Sequence, residues 1–248
     1  TQEISQGPTA AIVPIKQLGT NGGGYFGSNS SHPLENPNYL TNATECWSIL
    51  IIAMSMVFAL GFYLQRKKLA AWIYGVMLAA FLTTVCFSVH FEMQGSEQIA
   101  EMGISQEIGS MEGKEIRNGS AGTALWAMVT TVTSNGSVNG MHDSLTPLTG
   151  MLTMLNMQIN CWFGGVGVGF MNYYTFIIIA VFISGLMVGR TPEYLCKKIE
   201  PFEMKMAVLV CLATPVAILV GSGIATLLPS THDSLNNPGA HGLSEVLY

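Results

Sequence analysis

Two polar, glycine-bearing stretches interrupt an otherwise apolar chain. The first runs from Lys16 to Phe26 and reads K-Q-L-G-T-N-G-G-G-Y-F; the second runs from Thr130 to Asn139 and reads T-T-V-T-S-N-G-S-V-N. Thr20-Asn21-Gly22 matches Ser134-Asn135-Gly136. Downstream, Asn29-x-x-His32 matches Asn139-x-x-His142, with four residues fewer between. A glycine run costs conformational entropy and supplies no side chain for packing, so its use must lie in bare backbone. Backbone carbonyls aimed at one axis can replace the hydration shell of a cation. A short helix ending at such a loop adds the negative end of its dipole, which favours positive charge. Short helix plus Thr/Ser-Asn-Gly therefore reads as a cation-coordinating strand. An isolated Asn-Gly is also a hairpin signal. Two copies, each after a half-length helix and before a long apolar span, favour coordination.

The elements that must position these loops follow from composition. Of 248 residues, 49% are hydrophobic and 10% charged, against about 25% charged in soluble domains. Mean hydropathy is +0.41. The chain reads as an all-α integral membrane protein. Cys46–Leu64, Leu69–Phe91 and Met206–Leu228 are charge-free and long enough to cross a bilayer, which takes about 20 residues. Ser144–Gly189 is also charge-free but too long for one span, and Gly164–Gly169 interrupts it. Seven of the ten Lys and Arg fall in two short loops, Arg66–Lys68 and Arg190–Lys205, which the positive-inside rule places in the cytoplasm. Glu92–Arg117 carries six Glu against Lys114 and Arg117 and is expected as a solvated outer loop.

An even number of crossings must separate two cytoplasmic loops. The stretch 118–142 therefore dips into the membrane and returns as polar backbone, which is tolerated there only when it lines a cavity or is buried in protein. Upstream of the loops, Gly7-Pro8-Thr9-Ala10 resembles Gly119-Ser120-Ala121-Gly122. A third copy opens at Pro238-Gly239-Ala240-His241-Gly242. Recurrence at this spacing indicates one architectural unit reused. With no initiator Met and abrupt ends, the sequence reads as a fragment of a longer chain.

Four stretches carry a family resemblance: L-G-T-N-G-G-G-Y-F with H-P-L-E-N-P, T-S-N-G-S-V-N-x-M-H-D-S, G-L-M-V-G-R-T-P-E-Y-L-x-K-K-I-E, and N-P-G-A-H-G-L-S-E-V-L-Y. Over essentially its whole length the chain resembles the KdpA family, the potassium-binding subunits of bacterial potassium-transporting P-type ATPases. The resemblance implies helix–pore loop–helix repeats of the potassium-channel-like superfamily, with re-entrant pore helices and a broken transmembrane helix. Residues 1–91 would be the second repeat from its pore helix (filter 20–24, span 46–64) plus the first span of the next (69–91). Residues 92–117 would be an acidic extracellular loop, and 118–189 the third pore helix, filter and broken span. Residues 190–205 would be a basic cytoplasmic loop, and 206–248 the start of the fourth repeat.

One side of a potassium-selective filter is then Thr20, Asn21, Gly22, Gly23 and Gly24, and another is Thr133, Ser134, Asn135, Gly136 and Ser137. They act mainly through carbonyls, with the Thr20 and Ser134 hydroxyls as possible additions. The implied ligand is potassium alone, with no nucleotide and no other metal. The implied partners are a P-type ATPase catalytic subunit, small accessory membrane subunits and the lipid bilayer, without nucleic acid. The implied location is the bacterial inner (plasma) membrane, crossed several times. Consistently, the chain has no D-K-T-G-T and no G-x-x-x-x-G-K-[ST], and should not hydrolyse ATP itself. A stand-alone pore-loop channel or symporter is the alternative.

Gly164, Gly165, Gly167 and Gly169 read in two ways: close helix packing by small residues, or a flexible intramembrane gate below the filter, which the resemblance favours. Arg190 is a positive-inside anchor, a charge repelling cations at the inner exit, or a contact of the glycine loop. Lys16 stands one turn before a cation site, so its side chain must point elsewhere, with Glu35 and Asp143 as candidate partners. The five Cys have no paired spacing and read as reduced, small apolar residues. The five His lack ligand spacing, and His32 and His142 read as loop braces.

Overall fold

The computed structural model describes residues 7–237 and 239–248. Thr1 to Gln6 and Pro238, which opens the third copy, lie outside the described residues. Ten α-helices follow one another among them: α1 Thr9–Leu18, α2 Tyr39–Tyr63, α3 Lys67–Gln94, α4 Glu97–Glu101, α5 Gly119–Val132, α6 Pro147–Ile159, α7 Val168–Val188, α8 Pro201–Leu227, α9 Pro229–Ser234 and α10 Gly239–Leu247. Among the described residues four stretches are long and apolar enough to cross a membrane: α2, Lys67–Glu101, α7 and α8. The protein is a mostly helical membrane protein. Its contacts divide it into two units, Thr1–Met171 and Asn172–Tyr248.

The starts of α2 and α8 are set by capping rather than by hydropathy, which is why both begin several residues before their apolar runs. At α2, the Asn38 side chain accepts the Thr41 N–H at 3.0 Å and Thr41 Oγ1 accepts the Asn38 N–H at 3.1 Å. These reciprocal bonds satisfy orphan donors of the first turn. At α8, Glu203 Oε2 accepts the Glu200 N–H at 3.0 Å, with Pro201 preset for the first helical position.

In the first unit, α2 and α3 form a tight helical hairpin turned by Gln65 at φ +56°. Gly61 faces Ala70 across it so closely that a Cβ on Gly61 would overlap the Ala70 methyl. The buried stripe Ile49, Ala53, Val57 on α2 and Ala70, Ile73, Met77, Phe81 on α3 follows helical spacing. Short α5 packs against α2, α3 and α6. Ten of its residues are buried, Trp126, Met128, Val129 and Val132 among them. A helix apolar all round is a buried helix. By contrast, α1 buries only Lys16 and Gln17.

The segment joining α3 to α5 differs from a solvated acidic loop. Glu92 is fully buried and pairs with Lys114 Nζ at 2.9 Å. Its Oε1 accepts the Thr146 N–H at 2.7 Å and the Thr146 hydroxyl at 2.8 Å. Arg117 donates to the carbonyls of Ser31 and, at 2.9 Å, of Asn36. Charges at both ends of this segment are therefore structural ties, while Ile104, Ile108 and Ile116 remain exposed.

In the second unit, the basic segment after α7 forms a two-residue antiparallel ribbon, β1 Glu193–Tyr194 with β2 Lys197–Lys198, in register Glu193 opposite Lys198. Leu195 and Cys196 turn it at φ +50° and +65°. Helix α8 runs through Pro215 and packs with α9 and α10.

Candidate functional site

Helices α1 and α5 end in the same way. Gly19 and Thr133 cap them, and the next residue, Thr20 or Ser134, turns left-handed at φ +50° and +54°. After α1, Thr20 N–H bonds Gln17 O at 3.2 Å and Asn21 N–H bonds Lys16 O at 3.1 Å. After α5, Ser134 N–H bonds Thr131 O at 3.5 Å and Asn135 N–H bonds Thr130 O at 2.9 Å. This is the Schellman arrangement, with Thr and Ser where glycine is usual. Left-handed backbone costs a side-chain-bearing residue about 1–2 kcal/mol. Two residues on, Gly22 and Gly136 are again left-handed, at φ +74° and +87°. The repeat in the sequence is thus a repeat in backbone conformation, and each Asn-Gly follows a helix end rather than joining two strands.

The two loops meet. A Cβ on Gly22 would overlap Asn135 O and lie 3.1 Å from Gly136 C, so bare backbone is required there. Gly24 is hemmed by Asn29 and Glu35, whereas Gly23 and Gly136 face open space. Asn21, Gly23, Gly24, Ser134 and Gly136 are exposed; Thr133, Asn135 and Ser137 are buried. The Ser137 carbonyl accepts the Trp126 indole N–H at 2.8 Å, and Gly136 N–H donates to Thr130 Oγ1 at 3.1 Å.

Behind the first loop lies a buried polar chain. Lys16 Nζ pairs with Glu35 and donates to Ser30 Oγ at 2.7 Å. Of the two candidate partners, Glu35 is the one. Its other oxygen accepts the N–H groups of Tyr25 at 2.5 Å and Phe26 at 2.9 Å, so the carboxylate also braces the exit of the glycine run. Ser30 donates to Glu45 Oε2 at 2.7 Å, and Gln17 Nε2 donates to the same oxygen at 2.7 Å. The positive charge of Lys16 is thereby neutralised away from the loop.

His32 braces its own segment: Nδ1 accepts the Leu34 N–H at 3.2 Å and the ring stacks on Phe26 at 4.0 Å. His142 follows the second loop in a 3-10 turn, and burial pushes its pKa down to about 4. Among the described residues no group of His, Cys, Asp or Glu could hold a metal ion.

The glycine segment between α6 and α7 touches both loops. Gly164 N–H donates to Val132 O at 2.8 Å, and Val166 N–H donates to Thr20 Oγ1 at 3.1 Å. Ser134 Oγ donates to Asn160 Oδ1 at 2.5 Å, where Asn160 ends α6 at φ +42°. The matched hydroxyls of Thr20 and Ser134 thus each make a bond to this segment. Gly164 and Gly169 also approach so closely that a Cβ on either would overlap the other. Gly165 lies beside Thr133 O, and Gly167 is left-handed at φ +85° with open space around it. Close packing and loop geometry coexist. Arg190 lies in the second unit, exposed, at the end of α7.

Sequence reasoning missed Gln17, Glu45, Trp126, Thr130 and Asn160. Each makes its contact through a side chain whose neighbour is distant in the chain or sits inside a helix, and no motif spacing marks it.

A family model described as "Potassium-transporting ATPase A subunit" (KdpA) matches residues 1–248. A protein of Phocaeicola vulgatus is 69% identical over 256 residues, covering 100% of this chain. One of Bacteroides thetaiotaomicron is 68% identical, also over 100% of the chain, and one of Flavobacterium johnsoniae 52% over 99%. All three are named potassium-transporting ATPase potassium-binding subunit, and the chain spans 45% of the length of each. By its whole-length match and these identities, the chain belongs to the potassium-transporting ATPase A subunit family.

Proposed function

We propose that this chain supplies two sides of a potassium-selective filter in an ATP-driven potassium uptake pump of the bacterial inner membrane. Residues 20–24 and 133–137 coordinate the ion through carbonyls on the extracellular side. The helices α1 and α5 act as re-entrant pore helices of the second and third repeats, within the boundaries given above, and 206–248 opens the fourth. The remaining sides come from the other repeats, because two strands cannot surround an ion. Gly164–Gly169 forms the gate beneath the filter, and Arg190 adds a positive charge at the inner exit. ATP is hydrolysed in a separate P-type catalytic subunit, with small accessory membrane subunits completing the complex.

One observation carries this reading: the same left-handed pair, Thr20 with Gly22 and Ser134 with Gly136, recurs at the ends of two short helices whose loops touch. Family membership and the relatives' printed names support potassium as the cargo. The test is potassium-stimulated ATP hydrolysis by the full-length subunit in its complex, titrated with K⁺, Rb⁺ and Na⁺. Gly22→Ser and Gly136→Ser should raise the half-saturating K⁺ and alter the ion ranking. If both are unchanged, these loops are not the filter.

A further inference from the structure

The two loops are held together by one buried side chain. Gln17 belongs to α1, but its carboxamide crosses to the second loop and is fully buried. Oε1 accepts from Asn135 Nδ2 at 3.0 Å. Nε2 donates to Glu45 Oε2 at 2.7 Å and to Ser137 Oγ at 3.2 Å. Asn135 Oδ1 in turn accepts the Ser137 N–H at 3.2 Å. Both ends of the amide are committed, one to each partner type. A carboxylate at this position would face Glu45 with no proton to offer, and an apolar side chain would take from Asn135 Nδ2 its acceptor and from Glu45 Oε2 one of two donors, leaving Ser30.

Asn135 is also the residue whose main-chain oxygen abuts Gly22. Gln17 therefore fixes, through the Asn135 side chain, how far the second carbonyl strand stands from the first. The other buried side chain of α1, Lys16, pairs with Glu35 in its own copy and does not reach the second loop. The structurally matched position in the second copy, Thr131, donates to Ala127 O at 2.6 Å in its own helix and accepts from Asn156 Nδ2 of α6 at 3.2 Å, so its side chain serves α6 rather than the first loop.

We infer that Gln17 is a positioning residue for ion selectivity: it sets the spacing of the two carbonyl strands and so their preference among monovalent cations. The inference rests on the filter reading above. It is tested in the full-length complex with Gln17→Met, Asn135→Ala, and the exchanged pair Gln17→Asn with Asn135→Gln, which keeps the summed side-chain length. Both single variants should raise the half-saturating K⁺ about tenfold, equivalent to about 1.4 kcal/mol. They should also narrow the gap between K⁺ and Na⁺ or Rb⁺. The exchanged pair should recover most of the ranking, which a general loss of stability would not. If Gln17→Met does not assemble, the exchanged pair set against Asn135→Ala decides. Unchanged half-saturation and ranking in the single variants, with Gly22→Ser still shifted, overturn the role of Gln17 and leave the filter reading standing. If Gly22→Ser is unchanged as well, the filter reading itself falls.

Discussion

The Cβ that Gly22 lacks would occupy the space of the Asn135 carbonyl oxygen, so at this point the two glycine loops meet main chain to main chain. Gly136, the matched glycine, faces open space at φ +87°. The two should therefore respond unequally. Gly136→Ala meets only backbone strain of about 1–2 kcal/mol, a five- to thirtyfold rise in half-saturating K⁺ if the strain is released in the ion-free state. Gly22→Ala adds a collision with backbone that cannot swing away, and its rise should exceed that range or abolish assembly. Gly75 on α3 has open space and is the proper control, whereas Gly61 is pressed on Ala70 and is not. Equal effects at Gly22 and Gly136 would refute the contact.

A second expectation concerns the hydroxyl of Thr20, which accepts the Val166 N–H. Thr20→Val keeps the shape and removes the acceptor, while Thr20→Ser keeps both hydroxyl and bond. One such bond is worth about 1 kcal/mol, or roughly fivefold in an opening equilibrium. Hydrogen exchange of the segment 164–167 in the solubilised complex should quicken about fivefold in Thr20→Val and stay unchanged in Thr20→Ser. Indifference of that segment to Thr20→Val would remove the tether from the account.

Much of this was legible in the chain and some of it was not, for physical reasons. The long helices announce themselves because a bilayer demands about 20 apolar residues. Thr20-Asn21-Gly22 and Ser134-Asn135-Gly136 are legible because left-handed backbone restricts residue choice, and the same constraint leaves the same letters twice. Hydropathy misplaces the starts of α2 and α8, because Asn38 and Glu200 cap polar first turns that an apolar count ignores. The buried state of Glu92 is invisible for a different reason: its partner Lys114 is brought back by a fold between them. Gln17 is hidden in the same way, since its partner Asn135 lies in the other copy.

Lys16 and Glu35 form a buried ion pair whose loss should be non-additive. Removing one partner of such a pair typically costs about 3–5 kcal/mol, because the other charge stays in a poorly solvating interior. Glu35→Gln should therefore lower the melting temperature of the solubilised complex markedly, and Lys16→Met likewise. The double variant should be more stable than the sum of the two losses predicts. Simple additivity would show that the two charges do not depend on each other.

Cys196 supplies a topological test that needs no new residue on the inner side. It is exposed at the tip of the ribbon, between Arg190 and Lys197–Lys198. A membrane-impermeant maleimide should reach it only from the cytoplasmic face. A cysteine placed at Ile116, which is 86% exposed, should label only from outside in a background lacking the other cysteines. Labelling of both from one face would overturn the two-sided arrangement of the loops.

The last expectation is a pH dependence at His142. Burial lowers its pKa from 6.5 to about 4, so the folded protein holds it neutral where an unfolded chain would bind a proton. The stability tied to its neutral form is complete above pH 6.5. It is lost progressively as pH falls from 6.5 toward 4, because only the unfolded state gains the proton in that window. His142→Gln cannot gain one. The melting temperature of the solubilised complex should therefore fall between pH 6.5 and 5 more steeply in the wild type than in His142→Gln, and the limb above pH 7 should run parallel in both. Carboxylates begin to titrate below pH 5 and obscure the comparison there, so the window from 5 to 6.5 decides it. Parallel curves across that window would mean that folding leaves the proton affinity of His142 unchanged.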